Sequence, residues 1–140
     1  MRIHVPKARL SIEPDDTWEA DDIAPGSEHL GLYLRSTAHG VYLNVRGQEI
    51  GEHELSKEGL IALLREQSWG PSIDEWSSTS KDLTIVGGSF EATGMGGEIV
   101  MEIFVTDGHR VANLAGPGPR QVMEALRPAA ARVAATIRFE

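Results

Sequence analysis

The chain has 140 residues, no cysteine, and a formal net charge of −8 from 13 Lys and Arg against 21 Asp and Glu. The missing cysteines exclude structural disulfides, thiol catalysis and cysteine-ligated zinc, and no run approaches the ~18 to 20 apolar residues of a membrane-spanning helix. The acidic field repels phosphate backbones and anionic lipid, so neither nucleic acid nor a membrane is an expected partner.

The length suits one domain over residues 1–140. The first residues carry basic side chains but no apolar run of the secretory type, which leads to a cytoplasmic expectation. Residues 9–13 alternate as a short strand that ends at Pro14. An acidic loop follows at about 14–28. It holds Asp15, Asp16, Asp21 and Asp22, and no Lys or Arg lies between Arg9 and Arg35. Trp18 is expected to anchor that loop to the body.

Leu30, Leu32 and Leu34 share one face of a strand over 29–36, with Tyr33 and Arg35 on the other. Val41, Leu43 and Val45 repeat the pattern over 41–46 against Tyr42, Asn44 and Arg46. Period-two alternation marks strands with one buried face, and the short link 37–40 makes them a hairpin.

Ser56 has the chemistry of a helix N-cap, with Leu55 and Leu60 placed as a hydrophobic staple. A helix is expected to run to about Gln67, closed by Gly70-Pro71. Trp69 and Trp76 then fall in a loop rich in Ser and Thr. Residues 82–86 read as a strand that continues through Gly87-Gly88 to Phe90. Residues 94–97 read as a turn, and 98–105 alternate again. Asp107-Gly108 is a hairpin signal, returning through 109–114. Gly116-Pro117-Gly118-Pro119 is expected to break the sheet. A helix over about 119–135 contains Pro128, which calls for a kink or two helices. Residues 136–139 end the chain as a strand. Strands in runs, interrupted by single helices, give an α+β class: an antiparallel β-sheet with two or three packed helices.

Three features in the C-terminal half carry a resemblance. One is a long strand, a DG turn and a return strand from Glu98 to Leu114. Another is the break at Leu114-Ala115-Gly116-Pro117. The third is the ending Ala134-Ala135-Thr136-Ile137-Arg138-Phe139. In this order the chain resembles the PsbP-like fold, shared by the Ran-binding Mog proteins, DcrB, the Eag chaperones and the LpqN lipoproteins. The resemblance covers about residues 28–139 and is one of fold, so no functional residue is carried over. It implies a protein that binds other proteins rather than one that catalyses.

No motif supplies chemistry. Glu52-His53-Glu54 lacks the spacing that places two imidazoles on one helix face. No Gly-x-Ser-x-Gly elbow is present. The glycines at 94–97 lack the Lys-Ser/Thr ending of a phosphate loop. No catalytic residue, cofactor or metal is therefore assigned.

The expected function is a non-catalytic protein-binding module. One form is a chaperone or adaptor, and the other an immunity-type inhibitor tied to a secreted effector or toxin. The partner-binding candidates are Trp69, Trp76, Tyr33, Tyr42 and Phe104, with Asp15, Asp16, Asp21 and Asp22 as an acidic set. Tyr33 and Tyr42 would meet across the hairpin and join Val100 and Phe104 in an apolar patch. That patch is exposed if helices cover one sheet face and core if they cover both. The alternative is a small-molecule-binding or enzymatic domain without a recognisable motif. The partner would be a basic protein, or one with an apolar segment.

Overall fold

The computed structural model describes residues 1–21, 31–49, 54–66, 70–92 and 96–140. Expectations that fall on Asp22, His29, His53, Trp69 or Met95 lie outside the described residues.

Among the described residues, two antiparallel sheets form. The small one orders β1 (Ile3–Val5), β2 (Leu10–Ile12) and β10 (Arg138–Phe139), with a 3-10 turn, Pro6–Ala8, joining the first two. The large sheet contains β3 (Trp18–Asp21), β4 (Leu32–Ser36), β5 (Tyr42–Gln48), β6 (Ser72–Ser80), β7 (Leu83–Glu91), β8 (Glu98–Thr106) and β9 (Val111–Pro119). Its spatial order is β3-β4-β5-β9-β8-β7-β6. Two hairpin-built halves thus meet along β5 and β9, where Val45 lies opposite Leu114.

Period two divides the large sheet into an inner and an outer face. The inner face carries Leu34, Leu43, Val45, Leu114, Ile103 and Ile85. Helix α2 (Arg120–Ala134) crosses it and presents Met123, Leu126, Ala130 and Val133 at helical spacing. The same apolar cluster takes in Leu10 and Ile12, so one core joins the two sheets. Each fully buried Leu or Ile of this kind contributes roughly 1.5–3 kcal/mol over its exposed state.

Helix α1 (Lys57–Glu66) covers part of the outer face. Its Leu60, Leu63 and Leu64 pack on Val86, Phe90, Phe104 and Val111. Ser56 caps it: the Gly59 N–H donates to Ser56 Oγ at 3.1 Å, satisfying one of the free donors of the first turn. Gly59 is required there, because a Cβ would sit 1.9 Å from the Glu54 carbonyl oxygen.

Three expectations need correction, and one of two alternatives is excluded. The segment 14–28 is not wholly loop, since Trp18–Asp21 pairs with β4 as the edge strand β3. The Ser- and Thr-rich segment holding Trp76 is strand β6, not loop. Strand β9 runs through Gly116-Pro117-Gly118-Pro119 rather than stopping before it. Proline is tolerated because pairing with β5 ends at Ala115, so Pro117 and Pro119 lie where β9 keeps only β8 as neighbour. Pro128 sits within one helix, so α2 is not two helices. Helices on both faces answer the open question of the patch: Phe104 is fully buried and Val100 nearly so.

Candidate functional site

The outer face of β3, β4 and β5 lies beside the ground that α1 covers. Register places Glu19 opposite Arg35, Asp21 opposite Tyr33, and Arg35 opposite Tyr42. Tyr33 and Tyr42 are therefore diagonal neighbours on one face. Their rings meet edge to face, with centroids 6.5 Å apart at 79°, a geometry favoured by the ring quadrupoles. Tyr42 remains 41% exposed.

Charged groups frame the two rings. Arg35 donates to Glu19 Oε2 at 2.8 Å. The Tyr42 hydroxyl donates to the Asp21 carboxylate, and this bond, with smaller help from desolvation, raises the phenol above its ordinary range. The arrangement is a tyrosine pair held upright by a carboxylate, with an arginine–glutamate pair at its edge. It offers aromatic surface, a hydroxyl and negative charge to a flat partner.

The remaining candidates separate. Asp15 acts locally: its Oδ1 accepts from the Thr17 N–H at 2.9 Å and from the Thr17 hydroxyl, turning the chain into β3. Those hydrogen bonds hold its carboxyl below the usual range. Asp16 is exposed in the same turn. Trp76 is not a free anchor. Its ring lies on Gly87, and the Arg127 guanidinium sits 5.2 Å from its centroid while bonding Asp74. Phe104, proposed as part of an exposed patch, is overturned by α1, which seals it in the core with Leu60 and Leu64. Val100 is likewise buried.

One polar group went unassigned in the sequence. Glu102 is fully buried on the outer face of β8, and Asn113 Nδ2 donates to its Oε1 at 3.0 Å. The signal was present: Glu102 is the single charge among Ile99, Val100, Met101, Ile103, Phe104 and Val105. A buried carboxylate persists only where donors compensate its lost hydration. Among the described residues, no three His, Asp or Glu side chains converge as a metal site. No described helix is long and apolar enough to cross a membrane.

No protein-family model matches the chain, and no curated protein matches it in sequence. Solved structures do match in shape. The cyanobacterial PsbP protein CyanoP of Synechocystis sp. superposes with a TM-score of 0.60 at 12% identity, covering 100% of this chain and 92% of its own. LpqN of Mycobacterium tuberculosis, described as involved in cell envelope biogenesis, gives 0.57 at 12% identity, covering 93% and 82%. At such identity the likeness is one of fold.

Proposed function

We propose that this chain, an α+β protein of PsbP-like fold, is a non-catalytic module that binds another protein through the outer face of β3, β4 and β5. The observation that carries this is the Tyr33–Tyr42 pair, exposed at Tyr42 and fixed by Asp21. Tyrosine supplies large, rigid contact area with a polar tip, which is why it recurs among binding hot spots. Glu19 and Asp21 favour a basic partner, and the net charge of −8 steers one towards the chain.

Of the two forms, the inhibitor or immunity type is better supported than the chaperone. A chaperone would need an apolar groove lined by Tyr33, Tyr42, Val100 and Phe104, and of these Val100 and Phe104 are core. An acidic, tyrosine-bearing face suits a basic toxin or effector.

The test is a comparative capture from host lysate at low and high salt. Wild type is expected to retain one basic protein at low salt. The Tyr33→Ala/Tyr42→Ala double variant should weaken that binding by about 30-fold or more, the scale of a hot spot. Lys81→Ala, far along the sheet, should not. Equal retention by the double variant would remove this face from the function.

A further inference from the structure

A cleft of about 940 Å³ opens where the 3-10 turn of the small sheet meets the ends of β5 and β9. Among the described residues its walls carry Lys7, Arg9, Arg46, His109 and Arg110, against one acidic residue, Glu49. This gathers four of the chain's 13 Lys and Arg in one concavity of an otherwise acidic molecule.

Two of the arginines are held in place. The Arg110 guanidinium lies 5.3 Å from the Phe139 ring centroid and donates to the Arg9 carbonyl at 3.2 Å. Arg46 Nε donates to Asn113 Oδ1 at 3.4 Å. Asn113 is fully buried and is fixed in turn by Glu102 Oε1 and by the Ile103 carbonyl at 3.3 Å. The buried Glu102–Asn113 pair thus orients an arginine at the cleft wall. Holding a guanidinium in advance lowers the entropy cost of binding to it.

We propose that this cleft binds a small organic phosphate. Arginine forks match phosphate oxygens in pairs, and a lysine adds a point charge. Leu55, Val111 and Phe139 give the organic portion an apolar wall. The volume falls within the roughly 300–1,000 Å³ of small-molecule pockets. The chain's negative charge does not forbid this. At physiological salt the screening length is about 8 Å, so the nearest charges dominate once a ligand is inside. The distant acids act mainly on the encounter rate. A concave wall of this size favours a small molecule over a flat acidic protein.

The experiment is calorimetric titration of the full chain with inorganic pyrophosphate and with adenosine monophosphate, at low and high salt. Both should bind, more weakly in salt. Arg46→Met and Lys7→Met should each weaken binding about tenfold, the scale of one charge-assisted hydrogen bond. Arg120→Met, paired with Glu91 elsewhere, should leave it unchanged. Should Arg46→Met fail to fold, amide shifts in wild type on adding adenosine monophosphate provide the second readout. They are expected at residues 7–9, 46–49 and 109–111. Absence of heat and of shifts overturns the site. So does equal weakening by Arg120→Met, or a polyglutamate peptide that binds more tightly than adenosine monophosphate.

Discussion

Gly87 and Trp76 face each other across the β6–β7 pair, and the indole occupies the space a side chain on Gly87 would need. A Cβ there would lie 2.2 Å from Trp76 Cζ2. The glycine lets the ring lie flat against the sheet, where Arg127 closes over it.

Gly87→Ala should therefore displace the indole rather than simply crowd it. The expected cost is about 1–3 kcal/mol, as for other overpacked sites. Urea unfolding measures it, and tryptophan fluorescence should shift as Trp76 leaves its place. An unchanged midpoint would mean that β6 moves away freely.

Tyr42 should titrate above its ordinary value of 10.0 because its hydroxyl donates a hydrogen bond to the Asp21 carboxylate. In a Tyr33→Phe background, phenolate absorbance reports Tyr42 alone, since the chain has two tyrosines. Asp21→Asn removes the carboxylate charge, so phenolate should appear at lower pH than in the parent. Coincident titration curves would show that the two groups do not interact in solution.

Asp107 organises the β8–β9 turn. Its Oδ1 accepts the backbone N–H of His109 and of Arg110, each at 2.9 Å. Desolvation pushes its carboxyl upward, but those N–H bonds together outweigh it and leave the group below its ordinary 3.8. A carboxylate lowered by folding adds stability that is complete above the unfolded value. That stability is lost as pH falls through the folded one. Asp107→Ala should cost about 1 kcal/mol at neutral pH. The gap from wild type should close only as pH drops below the ordinary carboxylate value. A gap that persists in strong acid would assign the loss to the backbone instead.

Pro128 lies exposed inside α2 and cannot donate to the Glu124 carbonyl four residues earlier. Pro128→Ala restores that donor at a site where the side chain packs on little. The gain is offset in part by a freer unfolded chain. A net stabilisation of about 1 kcal/mol is expected, read as a higher Tm. A lower Tm would show that Pro128 helps α2 fit the sheet.

Strands with one buried face were plain in the sequence. Leu34, Leu43 and Val45 alternate because one side meets the core and the other meets water. The cap at Ser56 and the turn at Asp107-Gly108 were equally legible, since local chemistry determines both. Strand β6 was not. Its apolar positions are only Ile73 and Trp76, because an edge strand needs little burial on either side. The prolines of β9 were misleading for a related reason: what they forbid depends on whether a neighbour strand is present, which sequence does not state. Of the candidate site, Tyr33 and Tyr42 were expected to meet and do. Phe104 was misplaced because an outer-face position in β8 reads alike whether or not a helix passes over it.

The seam between β5 and β9 joins residues 44–48 to residues 111–115. Each half can assemble from hairpins by local search, but the seam must wait for a loop of over sixty residues to close, roughly a (3/2)RT ln n entropy cost. The slow step of folding should therefore be the docking of preformed halves. Substitutions at Val45 or Leu114 would retard refolding, whereas those in the β6–β7 hairpin would chiefly hasten unfolding.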